Sequence, residues 1–355
     1  MASLLVMFPS KNKHQSQLTI RGKIVFAYQI HERGNLGRLT SCDSPLPKQD
    51  EIRIEVAACG LNFGDLLMID GSYQERPALP FTLGMEPVGI VTALGENVDR
   101  FNVGDRVAVY SGYGGLAEVG CFAAKHCHLI PDNMSMQTAA GFLVAYGTSH
   151  LALSHRAKLK AGETLLVLGA SGGVGLTAVE IGKRMGATVI ACARGAEKLA
   201  IAKRAGADHL INSETDNLRD IVKNLGGADV VYDPVGGDLF NAALRASNPE
   251  ARILPLGFAS GKVPQIPANI LLVKNISVIG YYWGGYLKFA PEILHDSLKT
   301  LLGWYKDGQL QPHISHVLPL SQTSEALELL RARKSTGKVV VNIQDEAEII
   351  TKLSR

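Results

Sequence analysis

The chain has 355 residues, 46% of them hydrophobic and 19% charged, with a formal net charge of +3. That length suits two domains, each able to bury its own core, and the composition excludes a disordered chain. Lysines and arginines are scattered rather than interleaved with aromatic residues, so there is no electrostatic footprint for a specific nucleic-acid partner. No apolar run is long enough to cross a bilayer, and no membrane partner is expected. Cys42, Cys59, Cys121, Cys127 and Cys192 are odd in number and form no C-x-x-C pair, so reduced thiols and a cytoplasmic location are expected. The apolar stretch 4–8 is too short for a signal-peptide core, and residues 1–21 are expected to form a flexible tail.

In chain order, the runs 24–28, 51–57, 88–92 and 106–110 read as strands, and Gly95-Glu96-Asn97 and Gly104-Asp105 punctuate them as turns. Residues 62–69 read as a short helix, so this part of the chain has the look of an irregular, mainly-β domain. Near residue 145 the pattern changes. The continuous apolar run 164–168 is what a strand buried on both faces requires. It is followed by helix 175–185, strand 188–192, helix 197–205, strand 209–211, helix 218–225, strand 228–232, helix 239–246 and strand 252–256. This alternation predicts an α/β doubly wound parallel sheet with right-handed crossovers. Two helices, 292–304 and 322–333, and a last strand, 338–342, complete the chain.

The sharpest chemical signal is Gly169-Ala170-Ser171-Gly172-Gly173-Val174-Gly175, set between a strand and a helix. Aligned to G-x-G-x-x-G it gives Ala170, Gly172 and Gly175. Small residues here let the chain turn tightly, let the backbone approach a pyrophosphate and let the new helix pack close to the sheet. The helix N-terminus then offers N–H groups and a positive dipole end to the phosphates. NAD binders carry an acid at the tip of the second strand to hold the ribose hydroxyls. This sequence has Ala191-Cys192-Ala193-Arg194 there, and no acid. Arg194 and Lys198 put positive charge where a 2′-phosphate would lie, so NADPH is the expected cofactor.

Gly60-Leu61-Asn62-Phe63-Gly64-Asp65, Leu83-Gly84-Met85-Glu86-Pro87-Val88-Gly89, Val103-Gly104-Asp105-Arg106-Val107, the glycine-rich turn and Ser335-Thr336-Gly337-Lys338-Val339 stand in a familiar order. From about residue 22 onward the sequence resembles the medium-chain dehydrogenase/reductase superfamily. The resemblance implies a GroES-like substrate domain over 1–144, a Rossmann NADPH domain over 145–290 and a return to the first domain over 291–355, with the active site in the cleft between them. Zinc-dependent members carry Cys, His and Cys where this sequence has Asn62, Met85 and about Val144, and the four-cysteine structural zinc lobe is missing. The likeness is therefore to the zinc-free quinone oxidoreductase branch, whose members transfer hydride from NADPH to a quinone or the activated C=C bond of an enone.

By that resemblance Asn62 stands beside the nicotinamide and substrate, and Tyr73 lies on the substrate side, the two being candidate hydrogen-bond donors in catalysis. Thr148 contacts the nicotinamide or its ribose, Gly257-Phe258-Ala259-Ser260-Gly261 forms a loop over the cofactor, and Lys338 approaches the cleft. Two places depart from the pattern: Leu67 and Ser213 stand where some relatives carry Tyr. Two alternatives stay open, a 2-enoyl or acryloyl thioester reductase and a non-catalytic, crystallin-like NADPH-binding protein. Residues 275–283 read as a late strand of the cofactor domain, which in relatives pairs with its two-fold mate. A homodimer is expected on that ground, with Tyr281, Tyr282 and Trp283 as either cleft walls or dimer surface.

Overall fold

The computed structural model describes residues 23–354, and the expected tail over 1–21 lies outside the described residues. The chain divides into two compact units. Of the described residues, one holds those up to Gly141 together with His316–Lys334 and those from Val339 on; the other holds Phe142–Ser315 and Ser335–Lys338.

The first unit begins with strands β1 (Ile24–Ile30), β2 (Arg38–Asp43) and β3 (Glu51–Leu61), and helix α1 (Phe63–Ile69). Strands β4 (Phe81–Thr82), β5 (Glu86–Leu94), β6 (Arg106–Val109), β7 (Val119–Ala123) and β8 (Cys127–Leu129), and helix α2 (Met136–Ala140), complete its N-terminal part. β3 is the spine of this unit. It pairs antiparallel with β5, from Ile52 opposite Leu94 to Gly60 opposite Glu86, and along its first half with β7. Ile52, Ile54 and Val56 of β3 pack with Val91, Val107 and Phe122 in the core. β1 joins β2 and β4 in a separate three-stranded sheet.

The second unit opens with α3 (Leu143–His150), which runs into a π-helical turn over Leu151–Arg156. Then β9 (Thr164–Leu168), α4 (Gly173–Arg184), β10 (Thr188–Ala193), α5 (Ala196–Arg204), β11 (His209–Asn212) and α6 (Leu218–Asn224) alternate. They are followed by β12 (Ala228–Asp233), α7 (Gly237–Ala246), β13 (Ser247–Pro255), α8 (Ala268–Lys274), β14 (Ser277–Val278) and α9 (Pro291–Lys306). The six strands pair in parallel in the order β11-β10-β9-β12-β13-β14. This is the doubly wound dinucleotide-binding order, and its direction reverses between β9 and β12. Leu166, Leu168, Ile190, Val231, Phe240 and Ile253 are among the buried residues of its core.

The chain re-enters the first unit through β15 (Ile314–Pro319), α10 (Thr323–Arg331), β16 (Lys338–Asn342) and α11 (Glu346–Leu353). β16 lies antiparallel to β3, with Val339 opposite Leu61 and Asn342 opposite Ala58. The main sheet of this unit therefore runs β15-β16-β3-β5-β6-β8, with β7 on β3.

Two expectations need correction. The return was placed at 291, but the first unit resumes at His316. The reason is the apolar stripe of α9: Leu294, Leu298 and Leu301, at helical spacing, are fully buried. Ser297 on the same helix hydrogen-bonds His150 Nδ1 at 2.7 Å, and Tyr305 packs edge-on against Phe142. The second is the strand over 275–283. Only Ser277 and Val278 enter the ladder, opposite Arg252 and Ile253. Asn275 is left-handed (φ 55°) where α8 ends, and Tyr281 turns inward, where its hydroxyl donates to the Thr148 carbonyl at 3.0 Å. Trp283 is buried against Gly147. Tyr281 and Trp283 are thus packing residues of the cofactor unit.

Candidate functional site

The glycine-rich turn leaves β9 at Gly169, whose φ of +61° suits glycine. The Ala170 N–H bonds the carbonyl of Cys192 at 3.0 Å, tying the turn to the end of β10. The Gly172 N–H closes back on the Gly169 carbonyl at 3.0 Å, and the first backbone bond into α4 runs from Leu176 N to Gly172 O at 2.8 Å. The N–H groups of Gly173, Val174 and Gly175 therefore precede the helical ladder and form the positive end of a 12-residue helix.

Two glycines of this turn do different work. A Cβ on Gly175 would stand 2.1 Å from the Gly169 carbonyl oxygen, so the helix can approach the turn only without a side chain there. A Cβ on Gly172 would meet only the Gly169 oxygen at 3.4 Å, and would fill the hollow of the cradle. The segment 335–338 completes the cradle. The Gly337 N–H donates to the Ser171 carbonyl at 2.8 Å, and Gly337 bridges to Gly172. That places the buried Lys338 beside α4, its Cδ 3.3 Å from where a Cβ on Gly173 would be. A hollow kept open by glycine, a helix N-terminus and a lysine stem beside it fit the pyrophosphate of a dinucleotide.

The neighbouring strand ends extend the site. Arg194, just past β10, is exposed and reaches Glu214 (Nε to Oε1, 3.5 Å), and Lys198 lies in the first turn of α5. Ser213 donates its N–H to the Ala193 carbonyl at 3.0 Å. On α3, Thr148 accepts the Tyr281 hydroxyl through its carbonyl. Next to it, the buried Ser149 Oγ contacts Thr177 Oγ1 at 2.7 Å and the Tyr232 hydroxyl at 2.9 Å, tying α3 to α4 and β12.

A turn that sequence reasoning missed lies at the end of β12. Fully buried Asp233 accepts the N–H groups of Val235 and Gly236, at 2.7 and 2.8 Å, and burial raises its pKa above the usual carboxylate value. Val235 packs against Gly169, and the expected loop 257–261 folds onto this turn, with Ala259 N and Ser260 N donating to the Pro234 and Val235 carbonyls. The signal was present as Asp233-Pro234-Val235-Gly236-Gly237, a turn sequence at a strand end.

In the first unit Asn62 caps α1 in extended conformation, and its N–H donates to Asp65 Oδ2 at 2.7 Å in a capping box. Buried Asp65 is thus structural. The Asn62 side chain donates through Nδ2 to Glu86 Oε1 at 2.9 Å. Gly64, two residues on, is where Tyr73 and Met85 converge: a Cβ there would meet Met85 Cε at 2.8 Å and Tyr73 Cε2 at 3.1 Å. Asn62, Tyr73 and Met85 therefore surround one turn of chain. Leu67 offers its carbonyl to the N–H groups of Ser72 and Tyr73, which fixes the loop carrying Tyr73. A separate cavity of about 600 Å³ in this unit is lined by Cys42, Phe81, Tyr113, Cys121 and His126, and neither Asn62 nor Tyr73 borders it. Burial pushes the Cys121 thiol up to about 12, which favours the protonated form. Among the described residues no three His, Cys, Asp or Glu side chains come together as a metal site, and no helix is long and apolar enough to cross a membrane.

This pairing of a GroES-like unit with a doubly wound dinucleotide unit defines a class of oxidoreductase. Residues 48–148 match the alcohol dehydrogenase GroES-like domain family, and residues 173–301 match the zinc-binding dehydrogenase family. The sequence is 42% identical over 298 residues to the quinone oxidoreductase-like protein 2 homolog of Nematostella vectensis, covering 82% of this chain and 81% of that one. The structure is similar to the quinone oxidoreductase of Pseudomonas syringae, with TM-score 0.84 and 29% identity over 90% of this chain and 99% of that one. It is also similar to Escherichia coli quinone oxidoreductase complexed with NADPH, with TM-score 0.82 and 27% identity over 90% of this chain and all of that one. The chain belongs to the quinone oxidoreductase branch of the medium-chain dehydrogenase/reductase superfamily.

Proposed function

We propose that the chain is a zinc-free NADPH-dependent reductase acting on a quinone or on the activated C=C bond of an enone. The observation that carries this reading is the glycine-lined hollow at the N-terminus of α4, flanked by Lys338, with Arg194 and Lys198 at the adjoining strand end. A relative of the same fold is complexed with NADPH, which supports the choice of cofactor. NADPH supplies the hydride when bound. Lys338 and the α4 N-terminus hold the pyrophosphate, Arg194 and Lys198 the 2′-phosphate, and Thr148 and the Phe258–Ser260 loop the nicotinamide end. Asn62 and Tyr73 donate hydrogen bonds to the acceptor's carbonyl oxygen as negative charge develops on it. Zinc has no part in the reaction, since Asn62, Met85 and Val144 offer no thiolate or imidazole donor.

The test follows the absorbance of NADPH with the purified chain against a panel of quinones, enones and acyl thioesters. Oxidation by quinones or enones is the expected result. Turnover confined to acyl thioesters would move the protein to the enoyl thioester reductases, and tight binding with no turnover would make it a non-catalytic NADPH-binding protein. Elemental analysis is expected to find no stoichiometric zinc, and chelators to leave the rate unchanged.

A further inference from the structure

β10 and β11 run side by side, with Ala193 opposite Asn212, and the loops that follow them are locked together. Asn212 Oδ1 accepts the Gly195 N–H at 3.0 Å and the Glu214 N–H at 3.1 Å, while its own N–H donates to Asp216 Oδ2 at 2.8 Å. Ser213 N bonds the Ala193 carbonyl at 3.0 Å. The lock brings Glu214 to Arg194, 3.5 Å apart, with side chains 53% and 56% exposed. Gly195, at φ +77°, lies beside the Glu214 carboxylate: a Cβ there would stand 3.9 Å from Glu214 Oε2.

An acid that holds the ribose of NAD normally sits at the tip of the second strand. Here an acid reaches the same place from the third strand and meets the arginine that would bind a 2′-phosphate. A phosphate approaching Arg194 finds its guanidinium partly neutralised and a carboxylate within repelling distance. A 2′-hydroxyl, by contrast, can donate to that carboxylate.

We propose that Glu214 is a specificity-determining residue of the dinucleotide site, competing with the 2′-phosphate of NADPH for Arg194 and accepting the 2′-hydroxyl of NADH, so that the preference for NADPH is narrowed. This rests on the NADPH reading above. Both side chains are half exposed and screened by water, so the effect is modest, about threefold to tenfold in affinity.

The experiment is fluorescence titration of the full chain with NADPH and with NADH, which reads binding without turnover. E214Q is expected to tighten NADPH about threefold to tenfold and to weaken NADH. R194A is expected to weaken NADPH, and R194A/E214Q to keep only the smaller part of the E214Q tightening that comes from removing direct repulsion. E197Q removes the same charge from the exposed first turn of α5 and is expected to leave the NADPH-to-NADH ratio near that of the wild type. Wild-type NADPH binding with no change of ratio in E214Q, or an equal change in E197Q, overturns the role of Glu214 and leaves the NADPH reading standing. Failure of the wild type to bind either nucleotide overturns both.

Discussion

The side-chain amide of Asn62 is held by Glu86, a carboxylate only 1% exposed, through a 2.9 Å bond from Nδ2 to Oε1. The pair spans two elements: Glu86 opens β5 directly opposite Gly60 of β3, one residue before the chain turns toward α1. Asn62→Asp sets a second carboxylate against Glu86, and is expected to cost about 1–3 kcal/mol near neutral pH through like-charge repulsion and a lost donor. In N62D/E86Q the donor and acceptor trade places, so thermal stability is expected to recover while NADPH-dependent turnover stays low, because residue 62 no longer donates. Recovery of turnover along with stability would show that Asn62 only caps α1.

Gly172 and Gly175 separate binding from folding. Gly175→Ala forces a Cβ to within 2.1 Å of backbone oxygen, so the helix must shift, and a loss of about 1–3 kcal/mol is expected in urea denaturation. Gly172→Ala has room, with its nearest neighbour at 3.4 Å and ordinary backbone angles, φ −80° and ψ 175°. Its stability is expected to stay close to that of the wild type while NADPH affinity falls at least tenfold, since the methyl group occupies the hollow. Wild-type NADPH affinity in Gly172→Ala would place the phosphates elsewhere.

These two sites differ in how much of them the sequence discloses. The glycine turn is local: its residues are contiguous, and the buried run 164–168 before it marks the strand by itself. The Asn62–Glu86 and Arg194–Glu214 pairs depend on which residues face each other across β3/β5 and β10/β11, and hydrophobic pattern does not fix that register. The run 275–283 is rich in β-branched and aromatic residues, yet only Ser277 and Val278 pair, because Tyr281 and Trp283 find partners inside the unit. Likewise the stripe of Leu294, Leu298 and Leu301 announces an amphipathic helix without saying which unit it will cover.

His150 gives the cofactor unit a dependence on pH. Its Nδ1 meets Ser297 Oγ at 2.7 Å, its ring stands edge-on to Trp304, and burial lowers its pKa to about 4. The unfolded chain, with an ordinary histidine near 6.5, binds the proton more readily. The stabilisation is therefore complete above that value and is lost as pH falls through the folded value of about 4. Between pH 7 and pH 5 this group is expected to remove about 2 kcal/mol of unfolding free energy. His313, lowered in the same direction by burial, adds to the trend. Urea denaturation at the two pH values checks it, and His150→Gln is expected to flatten the dependence.

The edge strand β14 points to a second copy of the chain. Among the described residues it pairs only with β13, and the Ile279 N–H, like the ladder at Ser277, turns toward that partner, bonding Ile253 O at 2.9 Å. In a parallel ladder the intervening residue faces the other way, so the backbone groups of Val278 address the open edge. The helix before it, α8, has no buried residue, and its Leu272 and Val273 are 78% and 77% exposed. An apolar helix beside an open strand edge is an aggregation hazard unless covered, and a two-fold contact covers both with one patch. A homodimer through this edge is expected at micromolar concentration by light scattering. Val278→Pro removes the outward N–H and is expected to weaken it. L272E/V273E leaves the interior untouched, and each lost apolar contact of about 1.5–3 kcal/mol is expected to drive the chain toward monomer. A wild type that is monomeric and fully active would mean that the patch serves some other partner.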